Sequence, residues 1–196
     1  MHTRISGRIG RTMAALALVG ATGLAGAAPA NLVTNGGFET GDFSGWNLFG
    51  TDLTYVGVDT QSPQAGSYAA YFGALDPVGI SQTLVTVPGL TYIVEFWLKS
   101  EADVLGAAVP NSFAFSWDGV DQETVTNAPA ADYALHSFTL VASGAATDLK
   151  FTFTNEPAFW DLDSVSVSVP EPSMLAMTLL SLGILTGVRG VRRRRD

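Results

Sequence analysis

Glu95, Trp97 and Lys99 stand two residues apart in the chain, a spacing that puts all three on one face wherever the backbone is extended. A ring between a carboxylate and an ammonium suits sugars, because the apolar side of a pyranose packs on a π surface while polar groups hold its hydroxyls. Trp160, Trp117 and Tyr71 are further candidate platforms, and each is equally at home in a core. Asp161 and Asp163 are also two apart and share a side; such a pair suits either a divalent cation or plain solvation. In so acidic a chain carboxylate pairs abound, so no pair singles out a glycosidase. His136 is the only histidine in the body, and its neighbour Ser137 points to the opposite face of a strand, which gives no start to a Ser-His-Asp site. The chain has no cysteine, which excludes disulfides, thiolate metal sites and cysteine nucleophiles. No phosphate-loop, zinc-helix or nucleophile-elbow motif occurs. The residues therefore favour a body that binds rather than one that turns over a substrate.

The net charge of −8 over 196 residues is unevenly spread. Between residues 31 and 169 only Lys99 and Lys150 stand against sixteen acidic residues, a net of −14. Such a body repels nucleic acid and anionic lipid.

The remaining basic residues mark the two ends. Arg4, Arg8 and Arg11 precede an apolar stretch from Met13 to Leu24 and the small residues Ala28-Pro29-Ala30. This is the pattern of a secretory signal peptide over 1–30, cleaved after Ala30, with Ala27 the alternative cleavage point. A first membrane helix is the alternative, weakened by Gly20, Gly23 and Gly26. At the other end Pro170-Glu171-Pro172 leads into an apolar run from Met174 to Val188, followed by Arg189 and Arg192 to Arg195. The run is shorter than the roughly twenty residues of a spanning helix, and a segment 173–191 with Arg189 snorkelling approaches that length. Arg192 to Arg195 would then stay cytoplasmic and the body would sit on the far side. The two prolines deny their segment both helix and sheet hydrogen bonds, leaving an extended, accessible peptide.

Proline triplet, apolar segment and arginine cluster, in that order, resemble the PEP-CTERM sorting signal of proteins exported by Gram-negative bacteria. The resemblance implies an exosortase-type transpeptidase and the secretion machinery as partners, with Pro170, Glu171, Pro172, Arg192, Arg193, Arg194 and Arg195 as sorting residues. It also implies a transient inner-membrane anchor through the C-terminal helix, a body in the periplasm, and a final place at the cell surface or in an extracellular polysaccharide matrix. An ordinary C-terminal anchor is the alternative.

Positioning the body's side chains falls to strands. Short alternating or β-branched runs separated by Gly, Pro, Asn and Asp predict an all-β domain over 31–169, a two-sheet antiparallel sandwich. The expected strands are Leu53–Val58, Tyr68–Phe72, Ile80–Val87, Leu90–Leu98, Phe113–Trp117, Glu123–Thr126, Leu135–Val141, Leu149–Thr154 and Leu162–Val169. Val87-Pro88-Gly89 and Asp118-Gly119 are the clearest turns.

The opening Asn31-Leu-Val-Thr-Asn-Gly-Gly-Phe-Glu39, through Gly41-Asp-Phe-Ser-Gly-Trp46, and the close Trp160-Asp-Leu-Asp-Ser-Val-Ser-Val167 are similar to the two ends of galactose-binding-like jelly-roll carbohydrate-binding modules. The close departs from that pattern, with Ser164 where a second adjacent aspartate is usual. The resemblance implies a jelly roll with Trp46 plugging its interior, and a structural Ca2+ held by Glu39 and Asp163, with Asp161 beside them and carbonyls of residues 35–37 contributing. Solvated carboxylates are the alternative. The functional expectation is a non-catalytic binding or structural module of the extracellular matrix; the alternatives are a calcium-stabilised carbohydrate-binding module that holds an extracellular polysaccharide with Trp97, Glu95 and Trp160, and a secreted polysaccharide-acting hydrolase.

Overall fold

A computed structural model of the chain describes residues 30–102 and 110–170. The expected signal helix and the expected membrane helix with its sorting residues Glu171, Pro172 and Arg192 to Arg195 lie outside these residues. Among the described residues no helix is long and apolar enough to cross a membrane.

The described chain forms ten strands: β1 Asn47–Phe49, β2 Val56–Asp59, β3 Ala69–Phe72, β4 Val78–Val85, β5 Thr91–Ser100, β6 Asn111–Trp117, β7 Val120–Thr126, β8 Ala131–Val141, β9 Ala146–Asn155 and β10 Trp160–Ser168. They make two five-stranded sheets, β1-β4-β9-β6-β7 and β2-β3-β10-β5-β8, antiparallel at every pairing. The nine expected strands all form. β1 was not foreseen, since three residues are too few for a period to register; its pairing with β4 makes it a strand. β8 begins at Ala131 rather than Leu135 because pairing with β5 carries it on past the apolar alternation.

Alternation decides the packing. β5 buries Tyr92, Val94, Phe96 and Leu98 and leaves Ile93, Glu95, Trp97 and Lys99 half-buried on its outer side. β6 and β9 answer from the other sheet with Phe113, Phe115, Trp117, Leu149, Phe151 and Phe153. The rings interlock: Phe72 stacks on Phe153 with centroids 4.1 Å apart, and Phe96 meets Phe115 edge-on at 5.3 Å. Trp46 plugs the same core, 8% exposed, between Phe38 and Phe151. Asp118-Gly119 turns β6 into β7 with φ of 54° and 75°, the two positive values a type I′ hairpin needs. Val87-Pro88-Gly89 instead carries the chain from one sheet to the other.

The register fixes two ends of the sandwich. β10 runs antiparallel to β5, so Trp160 lies opposite Ser100 and Ser168 opposite Ile93. The chain therefore departs toward Pro170 at the end that holds the β4–β5 and β8–β9 turns. The far end holds Glu101 and the connection preceding Trp160.

Candidate functional site

The outer face of the β2-β3-β10-β5-β8 sheet collects most of the polar and aromatic candidates. Ser164 adopts a positive φ of 53° inside β10, and the register with β5 shifts there. This bulge lets Leu162, Val165 and Val167 all face inward while Asp161, Asp163, Ser166 and Ser168 face outward. Asp161 is paired across strands with Lys99 and Tyr71, and Asp163 with Trp97.

The β2–β3 connection folds down over this face. Backbone N–H groups of Gln64 and Ala65 donate to Asp163 Oδ2 at 2.9 and 3.0 Å, and those of Ser67 and Tyr68 donate to Glu39 Oε1 at 2.9 and 3.1 Å. Lys99 Nζ donates to Ser62 Oγ at 2.7 Å, and Tyr133 Oη donates to the Ser62 carbonyl at 2.7 Å. Gly66 has a φ of +68°, and a Cβ there would collide with the Glu39 carboxylate, so this turn requires glycine.

Beyond the connection, at the far end, opens a pocket of about 270 Å³ lined by Thr54, Tyr55, Asp59, Gln61, Ser62, Tyr71, Glu101, Phe159 and Asp161. A second, of about 200 Å³, shares Tyr55 and Phe159 and adds Gly73, Glu156, Pro157 and Ala158. Tyr55 and Phe159 line both, so the two adjoin at the far end. Tyr55 is 54% exposed. Tyr71 meets Phe159 edge-on at 5.6 Å, and Gly57 lets it lie across β2, since a Cβ there would stand 2.5 Å from Tyr71 Oη.

Lys99 backs the pocket wall, 2.6 Å from Glu101 Oε1 and 3.0 Å from Asp161 Oδ2. That Asp161 oxygen is buried. Burial first, and Glu101 second, push the Asp161 carboxyl up to about 6 against the pull of Lys99. Burial also raises Asp163, countered by its three backbone N–H bonds, while the Glu39 charge adds to the rise. Tyr133 is held un-ionised by burial and by the charges of Asp161, Asp163 and Glu101.

The structure sorts the sequence-derived candidates. Trp97 and Glu95 stand on the outer face as expected, with Glu95 accepting from Ser137 Oγ at 3.1 Å. Trp160 does not: it is 2% exposed, its ring packs on Phe113 at 5.8 Å, and its Nε1 donates to the Thr154 carbonyl. Trp117 is likewise interior, with Nε1 donating to the Val141 carbonyl. Their indoles offer no platform. His136 Nδ1 lies 2.8 Å from Glu123 Oε2, turned away from Ser137.

Glu39 and Asp163 converge beside Gly37, whose Cβ position would lie 3.8 Å from Glu39 Cγ and 3.9 Å from Asp163 Oδ1. Asp161 leaves them for Lys99. The Asn35 carbonyl already accepts from Phe38 N and Trp46 Nε1, and the Gly36 carbonyl from Val165 N, so two of the three expected carbonyl ligands are engaged within the fold. Among the described residues no cluster of three or more His, Cys, Asp and Glu suits a metal. The groove residues Tyr55, Asp59, Glu101 and Phe159 were not singled out from sequence. They sit in or beside connections, where no periodicity marks them.

No protein-family model and no curated protein matches the sequence. Solved structures are similar in fold. TmCBM61 in complex with beta-1,4-galactotriose aligns with a TM-score of 0.57 at 21% identity, over 72% of this chain and 99% of that one. The CBM22-1 xylan-binding domain from Paenibacillus barcinonensis aligns at 0.51 and 19% identity, over 74% and 97%. An enzymatically active domain of bacteriophage CBA120 tailspike protein 4 aligns at 0.54 and 15%, covering 71% of this chain and 21% of that one. The expected jelly-roll sandwich thus has the fold of carbohydrate-binding modules.

Proposed function

We propose that this protein is an exported, non-catalytic glycan-binding module whose ligand lies in the far-end groove, tethered to and sorted from the membrane through its C-terminal tail. The observation that carries the binding reading is the grouping of Tyr55, Tyr71 and Phe159 with Asp59, Ser62 and Glu101 in one open groove. Rings that receive a pyranose face and carboxylates that accept its hydroxyls are what a sugar site needs. Trp97, with Glu95 beside it, supplies a further ring on the same outer face, so a chain of several sugar units has platforms along the sheet. The likeness in fold to carbohydrate-binding modules supports this reading. Lys99 already serves Glu101, Asp161 and Ser62, so its role is to hold the pocket wall.

Glu39 and Asp163 are the residues that would hold the calcium ion implied by the resemblance to carbohydrate-binding modules. Both side chains lie beside Gly37, with Asp163 wholly buried, and neither is in an ion pair among the described residues; a divalent cation would balance that charge. Its contribution would be to pin the β2–β3 connection that walls the face. Sorting is carried by the tail, where an exosortase-type transpeptidase would act at Pro170 to Pro172.

Glycan-array screening followed by calorimetry on the best neutral oligosaccharide tests the site. Tyr55→Ala and Phe159→Ala should each weaken binding about tenfold or more, the worth of about 1.4 kcal/mol of stacking, with an unchanged circular dichroism spectrum. Wild-type affinity in both variants would move the ligand elsewhere.

A further inference from the structure

Eleven large hydrophobic side chains are at least 36% exposed among the described residues, and six of them gather at the end where the chain departs: Val85, Val87, Leu90, Val120, Val141 and Val169. Backbone bonds tie their turns into one surface. Gly89 N donates to the Ala142 carbonyl, Ala142 N to the Leu90 carbonyl and Thr86 N to the Ala145 carbonyl, while Trp117 Nε1 donates to the Val141 carbonyl and so brings the β6–β7 turn alongside. The turns 86–90, 118–119 and 142–145 contain one acid, Asp118, and no basic residue.

The exit point says what covers this surface. From Pro170 to the apolar run that begins at Met174 there are four residues, which reach at most about 14 Å when fully extended. The headgroup layer takes up about 5–7 Å of that on one side of a bilayer. The remaining clearance, about 7–9 Å, is less than the 10–12 Å diameter of a helix with its side chains. No layer of protein fits between this end of the sandwich and the membrane to which its tail is tethered.

We infer that the end bearing Val87, Leu90 and Val141 is a lipid-contact surface, seated in the bilayer interface while the tail is inserted, so that the glycan groove points away from the membrane. The inference rests on the tethered reading above. With no basic side chain in these turns, contact comes from apolar insertion rather than from pairing with anionic headgroups.

The chain's lack of cysteine makes the test direct. Val87→Cys, Val141→Cys and, at the far end, Leu75→Cys each place one environment-sensitive fluorophore on the exported chain bearing its tail, reconstituted in phosphatidylcholine vesicles. Leu75 is 75% exposed, a control for the stickiness of a label at an apolar site. The expected result is a blue shift and loss of emission with doxyl-labelled lipid at positions 87 and 141, and neither at 75. A chain that floats with the vesicles yet shows no quenching at 87 or 141, or equal quenching at 75, overturns the inference and leaves the tether standing. A chain that does not float removes the tethered reading and this surface's role together. Fluorophore self-quenching at 87 without lipid would instead assign the surface to a second copy, and also overturns the inference.

Discussion

Asp161 shows what a single carboxylate does when a fold buries it. It is 4% exposed, and its carboxyl rises from the ordinary 3.8 to about 6 because burial and the Glu101 charge outweigh Lys99. Folding therefore favours the protonated form: the stabilisation is fully present below about 3.8 and is lost as pH rises through 6. The cost to the folded state is about 2 kcal/mol on going from pH 4 to pH 7. Asp163 is raised as well, so it works in the same sense. The melting temperature should fall between pH 4.5 and pH 7, and Asp161→Asn should flatten much of that fall. A melting temperature that climbs steadily to neutrality in the wild type would contradict the assignment. In ligand binding the same group would change from hydroxyl donor to acceptor over this interval, inside the groove.

At the scale of elements, the β2–β3 connection is the piece whose position decides whether a site exists at all. It is pinned at two points, Gln64 and Ala65 on Asp163, and Ser67 and Tyr68 on Glu39. Asp163→Ala leaves three N–H groups without their charged acceptor in a dry place, a loss of about 3 kcal/mol or more. If a calcium ion bridges Glu39 and Asp163, millimolar calcium should raise the melting temperature of the wild type, and Glu39→Ala should abolish the rise; no shift in the wild type would remove the ion from the account. The strands themselves were visible in the sequence because alternation in Thr91–Ser100 or Ala146–Asn155 leaves one face apolar. The same parity explains Trp160, which stands two residues before Leu162 and follows it inward. The bulge at Ser164 was not visible, since nothing in its type requires a positive φ. The groove was not visible either: Tyr55, Glu101 and Phe159 meet only because separate connections end at one corner of the sandwich, and that convergence belongs to topology rather than to any local pattern.

At the scale of the molecule, both ends of the sandwich's own chain lie together and the groove lies opposite. Asn31 joins the fold at once, its Oδ1 accepting from Val33 N and Val167 N and its Nδ2 donating to the Val165 carbonyl. A signal peptide removed after Ala30 would therefore leave a mature chain whose first residue is already a structural one. At the other terminus β10 stops at Ser168, and Val169 and Pro170 are exposed, so the chain has already left the sheet where the proline triplet begins. The acidic body, net −14 between residues 31 and 169, is repelled by an anionic leaflet; if the tail is cut as proposed, the apolar contact inferred at the exit end would alone hold the body against that repulsion. Cleavage should then release it or pass it to a new attachment, with the groove free throughout because it faces the other way. Intact-mass measurement of the protein recovered from its native envelope checks this directly. A species that begins at Asn31 and ends near Pro172 is the expected outcome, with or without the mass of an attached group, whereas a species retaining Asp196 would reduce the tail to a permanent anchor.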